Sequence, residues 1–282
     1  MQFKKFIKSK LAIQPHYLLV GKPVGHSISP TMHNIALKHH QIDARYIAVS
    51  VDNEDFDSLA AHFNKTEFLG ANITIPHKEN MMAYMDELTK VANAINAINT
   101  IVKKDSILIG DNTDAYGFQV PLNEISVLGK DRAIIFGSGG ATKAIIYALN
   151  DIGFNEICMV SRKPDQCVEQ SNLAICSYDD WQHYSEDATL FINATPLGMA
   201  PNVDSSPIKD SEIEYLTGKI CYDIVYNPRE TKFLKQTKKA EGIPIGGFDM
   251  LIHQGDESFY KWTGRRFPHG LMKLKLDELF TI

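Results

Sequence analysis

Residues 132–144 read RAIIFGSGGATKA. Ala133 to Phe136 form a short apolar run that stops at a glycine. Ala141 to Ala144 then open a run of helix-forming residues that closes at Gly153. A strand feeding a glycine loop and then a helix is the unit from which parallel α/β sheets are built. In that setting Gly137 permits the tight turn. Gly139 and Gly140 let backbone N–H groups approach a pyrophosphate, which sits on the positive end of the helix. An ordinary glycine turn between strand and helix is the alternative, but strand, helix and three glycines together favour dinucleotide binding.

The same alternation continues on both sides. Downstream, EICMVSR, TLFINAT, KICYDIVY and IPIGG read as strands. Upstream, YLLVG, RYIAVSV and GANITIP read as strands, while SPTMHNIALKHH, DFDSLAAHF and KENMMAYMDEL read as helices. NTIVKKDSILIGDN reads as a hairpin turning at Lys103 to Ser106. Strands interleaved with helices imply parallel sheets, and right-handed crossovers restrict their order. The reading is an α/β chain of two domains, joined near Asp114 and again near Gly247. The segment from about Met250 is helical and returns to the first domain. This gives a discontinuous N-terminal substrate-binding domain (1–113 plus 249–282) and a Rossmann-type dinucleotide-binding domain (114–248) with a parallel sheet.

Bulk properties narrow the function. The chain has 282 residues and a formal net charge of −5. It offers no basic field for nucleic acid. No apolar run reaches the roughly 20 residues of a membrane helix. The basic start, MQFKKFIKSKLAIQPHY, lacks the apolar core and cleavage site of a secretory signal and reads as a short amphipathic surface helix. The four cysteines, Cys158, Cys167, Cys176 and Cys221, form no zinc spacing and read as reduced thiols of a cytoplasmic protein. The ten histidines include no metal-binding pair on one helix face, so no metal is expected.

The end of the strand after the glycine loop decides the dinucleotide. Enzymes using NAD usually carry Asp or Glu there to accept from the ribose 2′-hydroxyl. This chain has MVSRKPDQ, in which Ser161, Arg162 and Lys163 offer a hydroxyl and two cations. A carboxylate would repel a 2′-phosphate, whereas these groups would bind it. Arg162 can also stack on adenine. One charge-assisted hydrogen bond of this kind is worth roughly 1.5–3 kcal/mol, a ten- to hundredfold preference. A solvated basic turn is the alternative for Lys163, and Asp165 blunts the local field. The expected cofactor is NADP.

The first domain must then hold the other reactant. GANITIPHK carries Asn72, Thr74 and Lys78, AINT carries Asn99, and GDNTD carries Asp111 and Asp114. These groups lie at strand ends, where ligands of open α/β sheets sit. In GHSISPTMHN, residues 25–34, an extended backbone would turn Ser27 and Ser29 the same way, with Ser29 as N-cap of the next helix. Two hydroxyls at a helix N-terminus make a small carboxylate clamp. Lys78 and Asp114 are the candidates for proton chemistry. A lysine desolvated in a closed cleft can take a hydroxyl proton, and a nearby carboxylate holds it charged and oriented. Which of the two receives the proton stays open for such a coupled pair.

Taken together these residues resemble the shikimate dehydrogenase family. The resemblance runs from about Tyr17 to the end, through GKPVGHSISPTMHN, GANITIPHK, AINT, GDNTD, FGSGGATKA, INATPLGM, YDIVYNP and FYKWTGRRFP. It implies a two-domain α/β fold and reduction of 3-dehydroshikimate to shikimate with NADPH in aromatic biosynthesis. It implies further that Ser27 and Ser29 bind the substrate carboxylate, with Tyr226 nearby, and that Thr74, Asn99 and Asp114 bind the ring hydroxyls, beside Asn72. Lys78 becomes the catalytic lysine paired with Asp114, and Gln254 also touches substrate. Gly137, Ser138, Gly139, Gly140 and Ala141 form the dinucleotide loop. Arg162 meets the 2′-phosphate, and Asn193, Ala194, Thr195 and Gly247 flank the nicotinamide side.

The chain departs from the family pattern at Ser161, where asparagine is usual, and at Lys163, where threonine is common. Asp249 stands where glycine is commoner, and Gly255 and Asp256 where small apolar residues are usual. A glycine early in the last domain-spanning helix costs about 1 kcal/mol in propensity. Asp256 near that helix's start would be a favourable dipole partner. The nearest rival reading is a quinate/shikimate dehydrogenase using NAD. From another class comes a catalytically silent sensor of the same ligands, against which the presence of both Lys78 and Asp114 speaks. The expected partners are the small-molecule substrate alone, or a second copy in a homodimer. Domain closure is expected, with hinges near Asp114 and Gly247.

Overall fold

In the computed structural model, which describes residues 1–125, 129–167 and 171–280, the chain divides into Met1–Thr113 with Gln254–Ile282 and, separately, Asp114–His253. Each unit has its own six-stranded sheet.

The first sheet contains β1 (His16–Gly21), β2 (Arg45–Ser50), β3 (Phe68–Ile73), β4 (Glu87–Leu88), β5 (Thr100–Lys104) and β6 (Ile107–Asp111), in the order β2-β1-β3-β5-β6-β4. β1 is buried at every position, as its unbroken apolar run requires. It pairs in parallel with β2 on one side and β3 on the other. The chain therefore reverses its direction of travel across the sheet at β1 and β3, and a crevice opens at their carboxyl ends. β5 and β6 form the expected hairpin, with Asp105 at φ +55° in its turn, and join the sheet antiparallel. The sheet is thus mixed.

Helices α1 (Phe3–Phe6), α2 (Ser29–His39), α3 (Phe56–Phe63) and α4 (Lys90–Ile95) belong to this unit. The N-terminal segment forms the short amphipathic helix α1, with Lys4 and Lys5 exposed on its outer side. Phe3 and Phe6 are buried in the main core with Leu18, Phe63 and Phe68, and Gln2 bridges Ser50. The helix expected over KENMMAYMDEL does not form. Asn80–Tyr84 is a 3₁₀ turn, and Glu87–Leu88 is captured by β6. The Asp86 N–H donates to the Leu108 carbonyl, and the Asp86 carboxylate accepts from the Leu108 N–H at 2.7 Å. Sheet pairing outweighs the local helix propensity here.

The second sheet is parallel throughout, in the order β12-β11-β10-β7-β8-β9. Its strands are β7 (Arg132–Phe136), β8 (Glu156–Val160), β9 (Leu173–Cys176), β10 (Ala188–Asn193), β11 (Ile220–Asp223) and β12 (Ile243–Gly246). Here the order reverses between β7 and β10, which puts the glycine loop after β7 beside the loop after β10. α5 (Asp114–Asn123), α6 (Gly140–Asp151) and α7 (Lys232–Lys239) complete this unit. A core of Ile134, Phe136, Trp181, Phe191 and Phe233 fills it.

α8 (Gly247–Thr263) begins earlier than its sequence suggests, and α9 (His269–Phe280) follows. This changes the reading of Asp256, which lies well inside α8. Its carboxylate is buried, accepts from the Phe267 N–H at 2.5 Å, and pairs with Arg266 at 3.1 Å. It fastens the turn leading into α9 instead of facing its own helix's N-terminus. Gly255 also lies inside α8, where an added Cβ would stand 3.3 Å from Phe267 and 3.5 Å from His33. Packing against α2 favours the smallest side chain there.

His33 is the least comfortable polar group of this core. It stacks on Tyr46 with ring centroids 4.2 Å apart, and neither ring nitrogen has a hydrogen-bond partner. Burial pushes its imidazole from 6.5 down to about 3. Between those values the unfolded chain binds the proton more readily. The stability is therefore full above about 6.5 and is lost as pH falls toward 3. His33→Phe keeps the aromatic stacking and removes the titration. Compared with the unsubstituted protein, its loss of stability between pH 7 and pH 5 should be smaller by about 2 kcal/mol, read from urea unfolding midpoints. An unchanged pH slope would count against this role.

Candidate active site

The polar residues of the first unit gather along the carboxyl edge of β1 and β3. Ser27 and Ser29 follow β1, but not on an extended segment. Ile28 has φ −87° and ψ −5°, precedes α2 as its N-cap, and makes no side-chain cap. Ser29 is already helical. The capping role falls to Ser27, whose Oγ accepts from the Ser29 N–H at 3.2 Å and donates to Ser29 Oγ at 3.2 Å. The two hydroxyls still end side by side at the N-terminus of α2, because the turn brings them together. An anion at that end would meet both hydroxyls in a field favourable to negative charge.

Asn72, the penultimate residue of β3, is buried. Its Oδ1 accepts from the Tyr46 hydroxyl at 2.8 Å. Its Nδ2 lies within donating distance of the Asn99 carbonyl (3.1 Å), Thr100 Oγ1 (3.1 Å) and Ser258 Oγ (2.9 Å). Asn99 is also buried, donating from Nδ2 to Thr113 Oγ1 at 3.0 Å and accepting at Oδ1 from the Thr113 N–H at 2.8 Å. Thr100, Thr113 and Ser258 close the network. None of these three hydroxyls stood out in the sequence. Ser258 sits on α8, far along the chain, and no local pattern links it to β3.

Thr74 and Lys78 leave β3 half-buried, with the Thr74 N–H bonded to Val20 and the Lys78 carbonyl accepting from Ile98. These backbone bonds fix their position beside β1 and β5. Asp111 plays a different part. Burial alone would raise its carboxyl, but hydrogen bonds from Lys261 at 2.8 Å and Thr89 at 2.6 Å hold it below the usual range. It ties β6 to α4 and α8. Gln254, in α8, accepts at its carbonyl from Ser258 Oγ at 3.0 Å.

The second unit supplies the other set. Asp114 opens α5, and half-buried Tyr226 follows β11, its phenol raised by burial. Gly137 has φ +111°, and a Cβ there would stand 2.9 Å from Thr195 and 3.3 Å from the Ala194 backbone. A Cβ at Gly139 or Gly140 would meet nothing within 4 Å. The loop is therefore closed on its inner side and open on its outer side. That open backbone stands at the N-terminus of α6, where Gly139 is the cap and makes no side-chain capping bond. Ala141 lies in the first turn behind it.

A cavity of about 630 Å³ is lined by Gly137 to Gly139, Ser161, Arg162, Ala194 and Thr195. Tyr178, Ser206 and Lys209 line it as well. Tyr178 follows β9, a strand the sequence did not reveal, and Lys209 carried no signal at all. Burial raises the Tyr178 phenol while the Arg162 cation opposes it. Ser161 Oγ lies 3.1 Å from Ser138 Oγ and accepts from the Lys163 N–H at 3.1 Å, so it shapes the turn after β8. The Lys163 side chain is exposed, and Lys163 does not line the cavity.

Asn193, at the end of β10, is fully buried. It donates to the Leu197 carbonyl and to Asp223, both at 3.0 Å, and accepts from Thr195 N–H at 3.0 Å and Thr195 Oγ1 at 2.6 Å. Burial lifts the Asp223 carboxyl to about 6, against hydrogen bonds from Thr231, Val225 and Asn193. At Gly247 a Cβ would stand 2.2 Å from the Ile224 carbonyl, so its work is to let β11 and α8 approach. An open glycine loop, a helix N-terminus and an arginine on one cavity fit a phosphorylated dinucleotide. Among the described residues no group of three or more His, Cys, Asp or Glu could hold a metal ion, and no helix is long and apolar enough to cross a membrane.

Comparison with known proteins follows the same lines. Residues 19–101 match the family described as the shikimate dehydrogenase substrate binding domain. Shikimate dehydrogenase (NADP(+)) of Salinibacter ruber is 36% identical over 263 residues, covering 89% of this chain and 92% of that protein. Shikimate 5-dehydrogenase of Thermus thermophilus, solved in complex with NADP(H) and shikimate, has a TM-score of 0.81 at 29% identity, covering 92% of this chain and 97% of that one. The Listeria monocytogenes enzyme, in complex with shikimate and NAD, has a TM-score of 0.86 at 27% identity, with coverage of 94% and 96%.

The two glycines make a paired test of the loop. Gly139→Ala should leave the unfolding midpoint unchanged and weaken dinucleotide binding by about tenfold or more, measured by calorimetry. Gly137→Ala should also destabilise the protein, by about 1–3 kcal/mol, because its φ is strained for any Cβ. Tight dinucleotide binding by Gly139→Ala would remove the loop from the cofactor site.

Proposed function

The chain belongs to the shikimate dehydrogenase family, and from that premise we infer that it catalyses the reversible NADP-dependent reduction of 3-dehydroshikimate to shikimate. The observation that carries this reading is the pairing of two edges in one chain. One edge carries a glycine loop open to a phosphate beside Arg162. The other carries paired serine hydroxyls at a helix N-terminus with Thr74, Lys78 and Asn99 on neighbouring strand ends.

Each residue has a part in the proposed mechanism. Ser27 and Ser29 hold the substrate carboxylate, helped by the N-terminus of α2. Thr74, Asn99, Asp114 and Gln254 bind the ring hydroxyls, and Tyr226 stands by the carboxylate. Asn72 is a positioning residue, since the protein itself engages its amide; it holds Asn99, Thr100 and Ser258 in place. On the cofactor side Gly137 to Ala141 and Arg162 hold the dinucleotide, with Ser161 shaping the turn. Asn193 fixes the Ala194–Thr195 loop, and Gly247 sets the approach of α8. NADPH supplies the hydride when bound.

The chain's own chemical task is the proton. As the substrate carbonyl becomes an alkoxide, Lys78 stands to donate a proton to that oxygen, and in the reverse direction to take it back. Asp114, the first residue of α5, is the proposed carboxylate partner of Lys78 in this step. The domains act as 1–113 plus 249–282 for substrate and 114–248 for cofactor. The protein works in the cytoplasm, as a monomer or a homodimer, in the making of aromatic amino acids.

Nicotinamide absorbance tests the reading directly. Shikimate or quinate is mixed with NADP⁺ or NAD⁺, in four combinations. Reduced cofactor is expected with shikimate and NADP⁺. Signal confined to quinate or to NAD⁺ would overturn the assignment. Lys78→Ala should lower kcat by at least about a hundredfold, with shikimate affinity within a few fold by calorimetry. Retained turnover would remove Lys78 from the proton transfer.

A further inference from the structure

The 2′-phosphate of NADP carries close to two negative charges at neutral pH. One guanidinium neutralises only part of that, so a second cation is expected in the site. The sequence offers Lys163, next to Arg162. The structure points elsewhere. Lys163 gives its backbone N–H to Ser161, and it does not line the cavity that Arg162 and Ser161 line. Lys209 does line it, from the segment before the 3₁₀ turn Asp210–Leu216. Resting on the NADP reading above, we propose that Lys209 is the second cation of the 2′-phosphate site and a determinant of the preference for NADP over NAD.

The local geometry suits that role. The Lys209 N–H donates to Glu212 Oε2 at 2.8 Å. Glu212 is nearly buried, and its Oε1 accepts from Gln182 Nε2 at 2.9 Å. The backbone of Lys209 is therefore anchored to a fixed carboxylate. The ammonium is held only by a long ion pair with Glu212 Oε1 at 3.7 Å, beyond hydrogen-bond distance, on a side chain that is 68% exposed. From an anchored backbone, an exposed ammonium in so long an ion pair can turn to a phosphate in the cavity, exchanging one anion for another. Ser206 and Tyr178, on the same wall, offer hydroxyls to the adenosine. A lysine acts as a point charge, so its contribution falls on the charged phosphate and not on the base or the ribose.

Calorimetric titration with adenosine 2′,5′-bisphosphate and with adenosine 5′-monophosphate, which differ only by the 2′-phosphate, separates these effects without turnover. The unsubstituted protein should bind the 2′,5′-bisphosphate more tightly than the 5′-monophosphate. Lys209→Ala should weaken the 2′,5′-bisphosphate about tenfold and the 5′-monophosphate by less than about twofold. Lys209→Arg should restore most of the loss, and Lys163→Ala should cost less than Lys209→Ala. The KM ratio for NADP⁺ and NAD⁺ should move with these affinities. Equal weakening of both ligands by Lys209→Ala, an unchanged preference, or a larger effect of Lys163→Ala would each overturn the inference. If the unsubstituted protein binds both ligands equally, the NADP reading falls together with it. If the preference exists and survives Lys209→Ala, the inference falls alone.

Discussion

A buried asparagine that must find a partner for every polar atom organises each unit of this protein. An amide left unsatisfied in a core costs about 1–3 kcal/mol. Asn72, near the end of β3, and Asn193, at the end of β10, are both buried, and both are fully engaged within their own units. Each stands where a parallel strand reaches the edge at which the order of the sheet reverses. That edge is where an α/β sheet offers a crevice. The asparagines stiffen it, so that the residues just beyond them, Thr74 and Lys78 in one unit and Ala194 and Thr195 in the other, project from a fixed base.

The two edges differ in how they receive a ligand. The first is built from side chains: serine hydroxyls, a threonine, a lysine and an asparagine, set by a hydrogen-bond network that links β3, β5 and α8. Such a site can discriminate among small polar molecules, since a missing hydroxyl on the ligand leaves a buried partner unpaired. The second is built largely from backbone. Gly137 turns the chain where no side chain fits, and Gly139 and Gly140 leave open the space a phosphate would take. Arg162 and Lys209 line the same cavity and bring two cations to it.

Two of this chain's departures from the family pattern have local causes. Gly255 and Asp256 both answer to packing around α8 and α9: Gly255 lies close to Phe267 and His33, and Asp256 ties Arg266 and the Phe267 N–H. The N-terminal segment also has a structural part. Phe3 and Phe6 complete a core in which His16 and His62 face each other at 2.9 Å. Burial lowers both imidazoles, His62 to about 4, so this corner is built for neutral histidines.

Much of this was legible in the sequence. Apolar runs ending at glycine or at a polar residue marked β1, β3, β7 and β10, because a strand buried on both faces must be apolar along its length. The glycine loop was legible because only glycine tolerates φ +111° between Thr195 and Ala194. Ser27, Ser29, Thr74, Lys78 and Arg162 were visible as polar residues at strand or helix ends. Other features were decided by tertiary contacts. KENMMAYMDEL gave up its helix to pair with β6. Ser27 took the capping role expected of Ser29 because the chain turns at Ile28. Asn72 and Asn193 looked like ligand contacts and are enclosed by protein. Thr113, Ser258, Tyr178 and Lys209 joined their sites from distant segments. Local sequence sets backbone propensity and the sidedness of each element. The partner of a buried polar atom is chosen by whatever the fold brings within about 3 Å, and that is set by contacts between segments far apart in the chain.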